Sequence, residues 1–166
     1  MRIGVTGHQR LSEASNWLWV REDLDRLLLC MQAPLIGITS LAIGADQLFA
    51  AAVLLHGGLL EIVIPFSGYE STFSEAFDRQ EYDRLLLCAA RVDILVTDGT
   101  KEEAYFAAGK EIVNRAELLI AVWDGKPAVG LGGTGDIVNY AQKRHLRIIH
   151  INPTTHTVTE YQPGTE

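Results

Sequence analysis

The chain has 166 residues, a net charge of -7, 48% hydrophobic residues and 21% charged ones. That length allows one domain with a real core and no second domain of comparable size, and the composition excludes a disordered or fibrous protein. The acidic balance disfavours nucleic acid as a partner, since affinity for a polyanionic backbone comes mainly from Lys and Arg neutralising phosphates.

Hydrophobic period and punctuation predict an alternation of strands and helices. Arg2 to Thr6 is a short strand ending at Gly7, and Asn16 to Met31 carries leucines at helical spacing, with Trp17 and Trp19 read as packing or oligomer contacts. Pro34 breaks the chain before a strand from Leu35 to Thr39; a helix from Gly44 to His56 ends at Gly57-Gly58, and Leu60 to Pro65 is the third strand. The loop Pro65-Phe66-Ser67-Gly68-Tyr69 and helical material through Arg91 follow, then a strand from Val92 to Thr97 whose place in the sheet is open. Lys101 to Ala116 is helical, Glu117 to Trp123 is a strongly apolar strand, Thr134 to His145 is a helix, and Arg147 to Ile151 is a strand before Pro153. Thr154 to Glu166 forms either a polar tail or an edge strand around His156 to Tyr161. The order predicts an α/β fold, a Rossmann-like three-layer α/β/α sandwich with a mainly parallel sheet, over residues 1–153.

Cys30 and Cys88 follow leucine triplets and are read as buried free thiols of a reducing cytoplasm. MRIGVTG lacks a signal-peptide layout, and the apolar stretch from Leu48 to Ile64 is cut by His56, Gly57, Gly58 and Glu61, so no membrane span is expected. His56, His145, His150 and His156 have no metal-ligand spacing with one another or with the cysteines; neither a metal nor a cofactor is expected.

In parallel sheets of this kind, ligands bind beyond the carboxyl ends of the strands. Four turns should converge there: Gly7 to Arg10 after the first strand, Ser40 to Asp46 after the second, Pro65 to Tyr69 after the third, and Asp124 to Thr134 after the strand at Leu118. Thr6-Gly7-His8-Gln9-Arg10 offers a close backbone approach at Gly7 and a bidentate phosphate ligand in Arg10, against the plain alternative of a tight turn with an exposed arginine. In Ser40-Leu41-Ala42-Ile43-Gly44-Ala45-Asp46, Ser40 and the amides after it are candidates to hold a phosphate and Asp46 to accept ribose hydroxyls, with local helix capping as the competing account. Asp124-Gly125 ends the apolar strand, where Asp124 either binds ribose or caps the turn. Gly130-Leu131-Gly132-Gly133-Thr134 then opens a helix, so its exposed amides and the positive helix end form a seat for an anion. The glycine turn is neither the first-strand dinucleotide fingerprint nor a Walker A motif. Tyr105 and Phe106 lie on the helix that leads into this strand; one of them stacks on a base, or both pack in the core.

Gly7-His8-Gln9-Arg10, Ser40 to Asp46, Pro65-Phe66 with Tyr69 and Phe73, Ala104-Tyr105-Phe106-Ala107-Ala108-Gly109, Ala121 to Pro127 and Gly132-Gly133-Thr134 together resemble the SLOG superfamily. That group includes nucleotide-sensing domains of bacterial conflict systems, cytokinin-activating phosphoribohydrolases and the DNA-binding DprA proteins. The resemblance implies a Rossmann-like fold, often oligomeric, that binds a nucleotide or an NAD-derived signal such as an ADP-ribose species. The implied contacts are Gly7, His8, Arg10, the Ser40 to Asp46 turn, Asp124 and Gly132 to Thr134. The phosphoribohydrolase motif P-G-G-x-G-T-x-x-E is not matched, because Leu131 stands for the proline and no Glu stands where the catalytic one belongs.

The expected function is a homo-oligomeric sensor or sequestering protein for a nucleotide-like small molecule. The alternative is a nucleotide N-glycosidase in which Asp46, Asp124 or Asp136 stabilises an oxocarbenium-like sugar and helps activate water. A third reading is a protein-interaction domain whose ligand site has decayed.

Overall fold

The computed structural model describes residues 1–127 and 131–162. Gly130 of the glycine turn and the last four residues of the tail fall outside them. The chain alternates β1 (Arg2–Gly7), α1 (Asn16–Leu29), β2 (Ile36–Thr39), α2 (Ala45–Leu55), β3 (Leu59–Ile64), α3 (Ala76–Leu87), β4 (Arg91–Ile94), α4 (Lys101–Arg115), β5 (Leu118–Val122), α5 (Thr134–Lys143), β6 (Arg147–Asn152) and β7 (Thr157–Tyr161). One sheet contains all seven strands in the order β4-β3-β2-β1-β5-β6-β7, parallel throughout except for the antiparallel pair β6 and β7. The chain therefore has the α/β Rossmann-like fold that its sequence predicts.

β5 shows why the sheet is buried on both faces. All five of its residues are buried. Leu118, Ile120 and Val122 join the core beneath α1 and α2, whereas Leu119 and Ala121 pack with Ile137 and Val138 of α5. The two-residue period sends alternate side chains to opposite layers, so a strand covered twice reads as an unbroken apolar run.

The strand with no assigned place, β4, lies outside β3 at the edge of the sheet, with Glu61 opposite Arg91. α4 then carries the chain back over the sheet to β5, which pairs with β1. Winding thus runs outward from β1 to β4 and reverses between β1 and β5, which places the switch point of the sheet there. α4 begins with a capping box: Thr100 Oγ1 accepts from the Glu103 amide at 3.2 Å, and Glu103 accepts from the Thr100 amide at 2.7 Å.

Thr157–Tyr161 of the tail is the edge strand β7. Trp19 stacks on His156 with ring centroids 4.6 Å apart, tying the turn before β7 to α1, and Trp17 packs against the main core. The thiols depart from expectation, for both Cys30 and Cys88 are exposed. Each is the residue that closes its helix, and each directly follows an exposed leucine, Leu29 or Leu87. Three consecutive helical residues span about 200° of the circumference, more than the buried stripe, so the end of each leucine triplet and the thiol after it reach solvent.

Candidate functional site

A cavity of ≈ 410 Å³ opens at the carboxyl ends of β1 and β5, at the switch point. It draws residues from all four turns.

From the first turn, Thr6, Gly7 and His8 line the cavity. The absent side chain of Gly7 has a packing cause: a Cβ there would lie 2.4 Å from Ala45 Cβ and 2.9 Å from the Val122 carbonyl oxygen. The His8 amide donates to that carbonyl at 3.0 Å. Its ring Nε2 lies 3.2 Å from both the Asp124 amide and Asp124 Oδ1, so it accepts from the amide when unprotonated and donates to the carboxylate when it carries a proton. Arg10 does not reach this cavity. It turns into a neighbouring groove of ≈ 740 Å³ between α1, α2 and α3, where it pairs with Asp78 at 3.0 Å.

The second turn is bonded largely to itself. Thr39 Oγ1 donates to Asp46 Oδ2 at 2.8 Å, the Ser40 amide donates to the same oxygen at 3.1 Å, and the Leu41 amide donates to Thr39 Oγ1 at 3.0 Å. The Ala45 amide at the start of α2 donates to the His8 carbonyl at 3.1 Å. Main-chain donors read from the sequence as a phosphate seat are thus already engaged. Leu41 is fully buried in the core and Gly44 faces the neighbouring groove, so neither contributes to the cavity wall. Ser40, Ala42 and Asp46 do. Burial pushes the Asp46 carboxyl up from 3.8 to about 6, against the opposing effect of hydrogen bonds from the Thr39 hydroxyl and the Ser40 and Ala42 amides.

Asp124 lines the opposite wall with Lys126, while Gly125, in the left-handed region at φ +84°, makes the turn and stays off the wall. Burial would raise the Asp124 carboxyl, yet hydrogen bonds from the Lys126 amide and ammonium and from His8 outweigh it and hold the group below its usual value. Lys126 Nζ lies 3.1 Å from Asp124 Oδ2. Among the described residues it is the one Lys or Arg on the wall.

The start of α5 behaves differently from the start of α2. Gly132, at φ +86°, nests against the backbone of α4 and donates its amide to Asp136 Oδ2 at 3.0 Å, so Asp136 caps this turn. Gly133, Thr134 and Gly135 line the cavity along with Gly132, and among the described residues the amides of these three have no hydrogen-bond partner. Three successive unpaired donors at a helix N-terminus, facing a cavity, have the geometry of an anion site.

Tyr105 also lines the cavity and packs against Phe66 at 5.7 Å between ring centroids; Phe106 instead packs on the α4 and α5 side and carries Lys110 4.8 Å over its ring. Tyr69, which is 3% exposed, also lines the cavity and was not among the residues read as ligand contacts. Its sequence signals are its place in the Pro65–Tyr69 turn expected at this edge and among the residues of the resemblance; Gly68 at φ +82° opens the 3₁₀ turn Tyr69–Thr72 there. No group of three or more His, Cys, Asp and Glu among the described residues is arranged to hold a metal ion.

Comparison with solved structures places this geometry on a known scaffold. DNA processing protein A (DprA) from Streptococcus pneumoniae superposes with a TM-score of 0.65 at 15% identity, over 91% of this chain and 50% of that one. TM1055 superposes with a TM-score of 0.56 at 13% identity, over 87% of this chain and 70% of that one. The chain shares the Rossmann-like fold of these two structures. It spans half the length of the DprA chain it matches. No protein-family model matches the chain, and neither does any curated sequence. No helix among the described residues is long and apolar enough to cross a membrane.

Proposed function

We propose that this SLOG-like domain binds a nucleotide-like phosphorylated small molecule, as a sensor or sequestering protein, with a phosphoryl group on the amides that open α5. One observation carries the reading: the amides of Gly133, Thr134 and Gly135, without a partner among the described residues, belong to the wall of a cavity at the switch point of the sheet. A positive helix end offsets the local cost of placing an anion on an acidic protein. DNA, raised by the name of one structural neighbour, is not the partner proposed, because a net charge of -7 opposes it.

The enzymatic alternative has one observation in its favour, the buried Asp46 carboxyl on the cavity wall, poised near pH 6 for proton transfer. Calorimetric titration with adenosine 5′-phosphate and ADP-ribose, followed by chromatography of the mixture, tests both readings. Saturable binding with intact ligand is expected. Release of free base establishes the glycosidase instead, and absence of any binding removes the phosphate seat.

A further inference from the structure

The cavity floor holds a polar group for which the phosphate seat has no use. Tyr69 is 3% exposed, and its ring is fixed by Phe66, Phe73, Tyr82 and Tyr105 at centroid distances of 5.2 to 6.1 Å. Its hydroxyl has no hydrogen-bond partner among the described residues. Every fully enclosed side-chain nitrogen or oxygen of the described residues is bonded, so this hydroxyl opens into the cavity that Tyr69 lines. A phenol held rigidly and left unpaired at the bottom of a cavity is a donor kept for a ligand. The Asp46 carboxyl lines the same cavity; burial, and after it the charge of Asp46, raise the Tyr69 hydroxyl's affinity for its proton.

We propose that the Tyr69 hydroxyl and the Asp46 carboxyl together recognise a sugar hydroxyl of the ligand, which rests on the phosphate-seat reading and makes that ligand a sugar phosphate or nucleoside monophosphate. A hydroxyl is the small group that donates to a carboxylate and accepts from a phenol through one oxygen. Among the described residues the wall supplies amides for one phosphoryl group and a single ammonium, Lys126, which is paired with Asp124, so none of them offers a free cation to a chain of phosphates. A site built to bond a hydroxyl rejects the analogue that lacks it.

The test is titration of the wild-type protein and Tyr69→Phe with inorganic phosphate, adenosine 5′-phosphate and its 2′-deoxy and 3′-deoxy analogues. The wild type should bind adenosine 5′-phosphate about 5- to 20-fold more tightly than one of the deoxy analogues. Y69F, which keeps the ring packing, should lose a similar factor for adenosine 5′-phosphate and nothing for inorganic phosphate. Its loss should vanish with the deoxy analogue that lacks the recognised hydroxyl, since both changes delete the same bond. Equal binding of all three nucleotides by the wild type, or a Y69F loss that extends to inorganic phosphate, overturns the proposal. Binding of phosphate with no gain from the nucleoside defeats the sugar contact alone, and binding of neither defeats the phosphate seat as well.

Discussion

The Ala45 amide donates to the His8 carbonyl at 3.1 Å, so the turn after β1 closes the N-terminus of α2. The two helix starts near the cavity therefore have opposite fates. α2 spends its first donor on the protein, while α5 presents unpaired ones. The contact depends on Gly44, which has φ +83° and where a Cβ would lie 2.5 Å from both the His8 and the Gln9 carbonyl oxygens. Gly44→Ala should destabilise the fold by about 2–4 kcal/mol through strain and displacement of the His8 turn. Urea unfolding should show a lower midpoint at unchanged slope; an unaltered midpoint contradicts the packing account.

Asp46 makes stability depend on pH with a definite sign. Its carboxyl holds a proton more tightly folded than unfolded, rising from 3.8 to about 6 mainly because of burial. Its contribution is therefore full below about pH 3.8 and is lost as pH rises through about 6. Asp46→Asn keeps an acceptor for Thr39 and Ser40 without the buried charge. It should flatten this window and raise stability above pH 7 by about 2 kcal/mol. Thermal melts of both proteins from pH 4 to 8 measure the difference; parallel curves rule the effect out.

Thr134 separates an amide from a hydroxyl as the anion donor. Thr134 is the first residue of α5, and Gly133 before it has φ -70° and ψ 168°, a conformation that a following proline accepts. Proline at this helix position also preserves the helix. Thr134→Pro should weaken adenosine 5′-phosphate binding at least about 10-fold by deleting a charge-assisted donor. Thr134→Ala, which retains the amide, should lose less. The reverse order assigns the contact to the side chain.

Arg10 should be dispensable for the same ligand. Its guanidinium is 64% exposed and occupied with Asp78 in the neighbouring groove. Arg10→Ala is expected to change affinity less than about twofold and stability by under about 1 kcal/mol. A large loss of binding places the ligand across both depressions.

The two thiols should react in the native protein. Exposure of Cys30 and Cys88 implies two equivalents of modification by Ellman's reagent without denaturant. Modification that waits for urea would restore the buried reading.

Much of this architecture was legible locally. The capping box at Thr100 and Glu103, the unbroken apolar run of β5 and the leucine spacing of α1 are each specified within a few residues, because helix and strand periods act over one or two turns. The fate of individual donors and glycines was not. Gly7 reads the same whether it admits a phosphate or makes room for Ala45, and only the packed neighbour distinguishes the two. A one-residue change of helical phase likewise separates a buried leucine from an exposed one, as Leu28 and Leu29 show.

By itself, then, the order of residues determined the alternation of elements, the parallel sheet and the convergence of four turns at one edge. Tertiary structure alone decided which amides of the described residues remain unpaired, where β4 joins the sheet, and that the Tyr69 hydroxyl has no partner among the described residues. The reason is physical: periodicity and capping are satisfied between near neighbours, whereas a hydrogen bond from Ala45 to His8, or a phenol left without one, depends on segments that meet only when the sheet is assembled.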